Sequence, residues 1–65
     1  MTLNGHRKVI AAGFTIIRPR NLDKPEIWYK DATVRDWHKM EEFSSKAARD
    51  RRFKELLNDP HILED

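Results

Sequence analysis

The sequence has no cysteine and only two glycines among its 65 residues. Without cysteine the chain forms no disulfide and no thiolate metal site, which is typical of proteins in a reducing compartment. Two isolated glycines, Gly5 and Gly13, are too few for a P-loop or a dinucleotide-binding loop, since each of these needs several glycines at fixed spacing. The sequence therefore excludes the commonest nucleotide-binding loops.

Long hydrophobic runs are also missing. The longest apolar-rich stretch, residues 9–17, covers nine positions, whereas a membrane-spanning helix needs about 20. Residues 1–8 are polar where a signal peptide would carry an apolar block. We therefore expect a cytoplasmic protein that is not secreted and has no membrane partner.

Patterns that support catalysis are not apparent. The two adjacent serines, Ser44 and Ser45, have helix-forming neighbours and no strand–turn–helix elbow. The two pairs of adjacent acidic residues, Glu41–Glu42 and Glu64–Asp65, have polar neighbours in the sequence, which do not favour a pocket that would shift their pKa values. The three histidines are far apart in the chain: His6, His38 and His61. We therefore predict that the chain is not an enzyme and has no cofactor and no metal site.

Size and composition limit the core. A chain of this length forms one domain and buries only about 60% of its unfolded surface. Hydrophobic residues make up 38% of the chain and charged residues 37%, which is a low apolar and a high charged fraction. We predict a single domain over residues 1–65, with flexible tails at 1–7 and 60–65.

The charge distribution is more informative than the net charge of +2. Residues 1–30 contain six basic and two acidic side chains, and residues 44–54 contain five basic and one acidic. The last seven residues carry acidic side chains and no Lys or Arg. This uneven distribution of charge along the chain weakly favours an anionic partner.

The first half of the chain has the pattern of a β-hairpin. Residues 8–18 are rich in β-branched side chains, with Gly13 as a possible bulge, and residues 26–30 indicate a returning strand. The segment between them contains two prolines with Asn and Asp, which favour a loop. Trp28 and Tyr29 are adjacent, so they point to opposite faces and only one of them can line an exposed platform.

The second half has the composition of helix. Residues 34–58 lack glycine and proline, and Thr33 with Asp36 is close to a capping box. Because the apolar stripe changes sides in the middle of this segment, we favour two helices, roughly 34–43 and 46–58, with Ser44–Ser45 as the break. One long protruding helix is the alternative. The short apolar segment 61–63 could enter the core, add a strand or remain free.

The sequence thus predicts an α+β fold, a two-stranded antiparallel β-hairpin followed by one long or two shorter α-helices (ββα or ββαα). Such a small sheet leaves open edges, so a homodimer formed by edge pairing is possible. Residues chosen as partner-binding combine basic side chains with Trp37 and Phe53, although a solvated helix face and ordinary core packing would also explain them. The full set is Arg18, Arg20, Lys24, Trp37, Lys46, Arg49, Arg51, Arg52, Phe53 and Lys54.

Two functional classes are compatible with these features. The first is a protein-binding module, an adaptor or inhibitor that presents a basic and apolar helical surface to a larger protein target. Compact inhibitors from viruses and mobile elements have similar composition, which is an analogy only. The alternative is a nucleic-acid-binding module that uses the 18–24 loop and the basic 46–54 helix.

Overall fold

Two helices and four strands make up the fold in the computed structural model of the protein, which describes residues 3–34 and 36–65. The strands form one mixed sheet in the order β3-β2-β1-β4. Along the chain the elements are α1 (Leu3–Ala11), β1 (Thr15–Asn21), β2 (Pro25–Lys30), β3 (His38–Glu42), α2 (Lys46–Leu56) and β4 (Ile62–Glu64).

The β1–β2 hairpin forms the centre of the sheet. The two strands pair antiparallel, with Ile17 opposite Tyr29 and Arg18 opposite Trp28. Since directly opposed residues share a face and successive residues alternate, this register separates two sets of side chains. We call the face with Ile17 and Tyr29 the α2 face, and the face with Arg18 and Trp28 the α1 face.

The main core lies on the α2 face. Ile17 and Ile27 are 0% exposed there, and Phe53 of α2 packs against both at 8% exposure. The partly buried side chains around this centre are Tyr29, Met40, Phe43, Leu56, Leu57 and Ile62. Every element except α1 therefore contributes an apolar side chain to one cluster.

Helix α1 packs on the other side of the sheet. Its His6 bonds to Asp65, and the same carboxylate bonds to Arg18 on the α1 face. Ile16, which also points to this face, is 0% exposed. The two helices thus lie on opposite faces of the sheet, and α1 leaves part of its face uncovered.

Strand β4 pairs parallel with β1, after α2 has crossed from one edge of the sheet to the other. A parallel neighbour requires such a crossover connection. Only residues 15–17 of β1 pair with β4. Among the described residues β1 therefore has an unpaired edge at Pro19, which suits a residue without a backbone N–H.

The predicted ββα or ββαα fold is wrong, because the sheet has four strands and a helix precedes it. Residues 8–11 of the first predicted strand belong to α1. Gly13 is not a bulge but ends this helix with a φ of 97°. Gly13 N–H donates to Ile10 O at 3.0 Å and Phe14 N–H to Val9 O at 3.0 Å, which is the Schellman pattern of a helix C-terminus.

The predicted helix 34–43 is also wrong, since its second half is β3. Thr33 does not cap a helix, and its hydroxyl donates instead to Asp31 Oδ1 at 2.6 Å. The apolar residues Trp37, Met40 and Phe43 are spaced by three, which resembles a helical stripe. In the structure only Met40 lies in β3, where it is the extra residue at the register shift opposite Ile27 and Trp28. Met40 and Phe43 pack against the core, whereas Trp37 contacts Arg18 on the α1 face.

The second predicted helix, 46–58, agrees with α2 over residues 46–56. Ser45 caps it, with its side chain accepting from Ala48 N–H at 3.2 Å. The described residues of 34–58 therefore form neither one long helix nor two helices, but a strand followed by one helix. The segments expected to be flexible tails contribute residues 3–7 to α1 and residues 62–64 to β4.

Replacing Ser45 tests the assigned cap. Ser45→Ala should lower the free energy of unfolding by about 1 kcal/mol, because Ala48 N–H loses its acceptor. Ser44→Ala is the matched control, since Ser44 is exposed, and its effect should stay within about 0.5 kcal/mol. Urea denaturation followed by circular dichroism measures both, and equal losses would contradict the assignment of Ser45 as the cap.

Candidate functional site

The uncovered part of the α1 face carries cations next to tryptophans. Strand alternation places Arg18 and Arg20 of β1 on this face, and the register sets them opposite Trp28 and Glu26 of β2. Lys39 of β3 lies opposite Trp28 on the other side. Trp28 is therefore flanked on both neighbouring strands by a basic residue.

The basic and aromatic side chains on this face alternate. The Arg20 guanidinium carbon lies 4.6 Å from the centre of the Trp28 ring. The Arg18 guanidinium carbon lies 4.2 Å from the Trp37 ring centre, and Lys30 Nζ lies 5.9 Å from that centre. Because Arg18 is also the cross-strand neighbour of Trp28, the five residues make a continuous series. We call it the tryptophan–cation row: Arg20, Trp28, Arg18, Trp37 and Lys30.

Glu26 fixes the orientation of Trp28. Its carboxylate, on a residue only 5% exposed, accepts the indole N–H at 2.8 Å. Lys39 Nζ lies 3.9 Å from the other carboxylate oxygen of Glu26 and 3.3 Å from Glu42. The indole is thus held in place by its edge, and its N–H is satisfied within the protein.

The other end of the row is held by Asp65. Its Oδ1 accepts from His6 Nε2 at 2.6 Å, and its Oδ2 accepts from Arg18 Nε at 2.9 Å and from the Arg18 terminal nitrogen. The His6 and Trp37 rings meet edge to face at 5.9 Å. These contacts connect α1, β1 and the residue after β4 around one tryptophan.

The pKa of Asp65 is lowered by these contacts. Burial raises the pKa of the carboxyl group, but the hydrogen bonds from Arg18 and His6 outweigh it, so that the pKa lies below the ordinary value of 3.8. The carboxylate is therefore ionised at neutral pH and balances the charge of Arg18.

The residues predicted to bind a partner do not form one surface. Arg18, Arg20 and Trp37 belong to the row. Lys24 is exposed in the β1–β2 loop, where Nζ lies 3.7 Å from Glu42. The other six residues lie on α2, which packs against the opposite face of the sheet.

The side chains of α2 have three different roles. Phe53 is part of the core. Arg49 is 7% exposed and donates to the backbone oxygen of Arg20 at 3.2 Å and to the Asn21 side chain. Arg52 Nε lies 3.3 Å from Glu41. The exposed cations without an ion pair among the described residues are Lys46, Arg51 and Lys54.

Three members of the site, Trp28, Lys30 and Lys39, are missing from the residues predicted to bind a partner. Strand alternation predicts that at most one of Trp28 and Tyr29 lines an exposed platform and that the other belongs to the core. In the structure Tyr29 packs against the core, and Trp28 is partly exposed on the α1 face. Because residues two apart in a strand point to the same face, the position of Trp28 also predicts that Lys30 belongs to the site. Lys39 carried no such signal because its segment was predicted to be a helix.

A cleft of about 310 Å³ lies beside the row, between α1 and residues 30–34. Leu3, Ile10 and Val34 give it an apolar lining, and Lys30 belongs to both the cleft and the row.

No family model matches the chain, and no curated protein and no solved structure matches it. In the described ranges, 3–34 and 36–65, neither helix has the length and apolar character needed to cross a membrane. The same ranges contain no group of three or more His, Cys, Asp or Glu side chains placed to hold a metal ion. The site is therefore interpreted from its own geometry.

The Asp65 contacts lead to a pH prediction. Because the folded-state pKa of Asp65 is depressed, its contribution to stability is present above pH 3.8 and is lost as the pH falls through the folded-state value. Asp65→Asn should lower the free energy of unfolding by about 2 kcal/mol at pH 7. The difference in the free energy of unfolding between wild type and this variant should become smaller at acidic pH, as measured by urea denaturation from pH 7 to pH 2.

The control for this experiment is Asp23→Asn. Asp23 is exposed in the β1–β2 loop and has no ion pair among the described residues, so the variant should stay within about 0.5 kcal/mol of wild type at pH 7. A difference between wild type and Asp65→Asn that is constant across the pH range would contradict the assigned charge interaction.

Proposed function

We propose that this chain is a non-enzymatic nucleic-acid-binding module whose contact surface is the tryptophan–cation row with the adjacent Lys39. The observation that carries the proposal is the alternation of cations and indoles on one sheet face, at distances of 4.6 Å and 4.2 Å for the two arginine–tryptophan pairs. Cations neutralise phosphates and aromatic rings stack on bases, so this combination suits a nucleic acid.

The charges on this face support binding to a polyanion. Arg20 and Lys30 have no carboxylate partner among the described residues and interact only with tryptophan rings. Lys39 has a half-exposed side chain between two carboxylates. Arg18 is balanced by Asp65, so Arg20 and Lys30 are the cations of the row whose charge no carboxylate among the described residues offsets.

The proposal differs from the sequence interpretation in the surface that it uses. The 46–54 helix lies on the α2 face, whereas the row lies on the α1 face. Arg49 is turned inward to hold the end of β1. The row therefore replaces α2 as the proposed main contact, and the exposed cations of α2 serve as a control surface.

A protein target is the second candidate, as an adaptor or inhibitor would require. Leu22 supports it, because this large apolar side chain at the tip of the hairpin is 61% exposed, and arginine with tryptophan is also enriched in protein interfaces. The apolar side chains of α2 do not support it, since Phe53, Leu56 and Leu57 pack in the core. A homodimer formed through the sheet edges also stays a prediction.

A cytoplasmic location is part of the proposal. The absence of cysteine suits a reducing compartment, and nucleic acids are accessible to a small binding module there.

Neutralising the two available cations tests the proposal. The double variant Arg20→Gln/Lys30→Gln should bind a mixed-sequence oligonucleotide at least about tenfold more weakly at low salt. The slope of log K against log salt should become shallower by about 1.4 for a single strand, because two phosphate contacts are lost. Fluorescence anisotropy with a labelled oligonucleotide measures both quantities.

The control is Arg51→Gln/Lys54→Gln, which removes the same charge from the exposed side of α2. It should keep the affinity and the salt slope close to those of wild type. Loss of binding in the α2 variant alone would move the interface to α2. Absence of binding to any oligonucleotide at low salt would reject the nucleic-acid function and leave the protein target.

A further inference from the structure

We infer that the ligand of the row is a single strand of nucleic acid rather than a duplex, an inference that rests on the proposed function. A single strand presents unstacked bases together with phosphates, and the row presents indoles together with cations. Arg20, Trp28, Arg18, Trp37 and Lys30 alternate in this order on one face. The two alternating patterns match each other in chemistry.

Trp28 is the residue placed to receive a base. It lies in a strand of the sheet, its edge is held by Glu26 through the 2.8 Å hydrogen bond, and Arg20 lies against its ring. A ring held in this way loses little freedom when a base stacks on it, which reduces the entropic cost of binding. Since every base has an aromatic face, stacking here tolerates any sequence.

The charge on this face is too small for a duplex to be the preferred ligand. A duplex keeps its bases stacked inside, so binding without base readout depends on phosphate neutralisation. The net charge of the chain is only +2, and Asp65 and Glu26 place two carboxylates among the cations. Stacking supplies the affinity that this limited charge does not.

The position of α1 also favours a single strand over a duplex. The helix lies on the face that carries the row, where His6 contacts Trp37 and Asp65. A helix with its side chains is about 10 Å across, so it rises above the sheet beside the row. A duplex is stiff over roughly 150 base pairs, so it adapts less readily than a flexible strand to a face bounded in this way.

The strand can be DNA or RNA, because phosphates and bases are common to both. The inference is tested with labelled 12-nucleotide oligonucleotides of one mixed sequence, prepared as single-stranded DNA, single-stranded RNA, duplex DNA and an abasic DNA strand. Wild-type protein should bind the DNA or RNA strand about tenfold or more tightly than the abasic strand. It should also bind that strand more tightly than the duplex.

Two substitutions separate stacking from structural effects. Trp28→Phe and Trp28→Leu both remove the N–H that Glu26 accepts, so they share any effect of that loss on the fold. Only the phenylalanine keeps an aromatic face. Trp28→Leu should therefore bind the single strand about tenfold more weakly than Trp28→Phe, while both variants should bind the abasic strand equally.

The outcomes distinguish the inference from the proposed function. Binding to neither strands nor duplex would reject the proposed function together with the inference. Binding to the duplex or the abasic strand as tightly as to the intact strand would keep the nucleic-acid function and overturn the single-strand inference. Equal affinities of Trp28→Phe and Trp28→Leu for the intact strand would also overturn it, and circular dichroism would show that both variants are folded.

Discussion

The pairing of Ile17 with Tyr29 and of Arg18 with Trp28 in the central hairpin separates the molecule into two chemically different sides. On one side the paired residues meet Phe53 and complete an apolar core. On the other side they leave guanidinium groups against indoles. A slip of one residue would exchange the two sets of side chains between the faces. The core and the candidate interface therefore depend on the same backbone register.

The two tryptophans of the row have different partners. At Trp28, one carboxylate holds the indole N–H, and the adjacent Arg20 remains without an acid partner. At Trp37, the carboxylate of Asp65 joins His6 and Arg18, and both of these side chains lie against the ring. The Trp37 end thus contributes to the attachment of α1, whereas the partly exposed Trp28 end is the part of the row that we propose as the contact surface.

Local signals in the sequence predicted part of this arrangement. The presence of a hairpin, the Ser45 cap with most of α2, and the opposite orientation of Trp28 and Tyr29 follow from turn chemistry, capping and strand alternation. The predicted 18–24 loop is wrong in its first four residues, because β1 continues to Asn21 and pairs with β2 in spite of its proline. Helix α1 was missed because its β-branched residues suggested a strand, although Gly13 carried the signal of a helix end. Strand β3 was missed because Met40 is its only apolar residue, and the flanking Trp37 and Phe43 give this segment a helical spacing. Strand β4 has only three residues, and its partner β1 is distant in the sequence.

The parallel pairing of β4 with β1 has a consequence for the order of folding. The β1–β2 hairpin closes a short loop and needs only local contacts, whereas one edge of β1 stays open until a strand 47 positions further along the chain arrives, as Thr15 pairs with Ile62. Long-range closure is slower than local closure. During that interval the apolar start of β1 is a template for strands of other molecules. A chain that lost residues 62–64 would lose Ile62 from the core and would expose this edge permanently, which would favour aggregation.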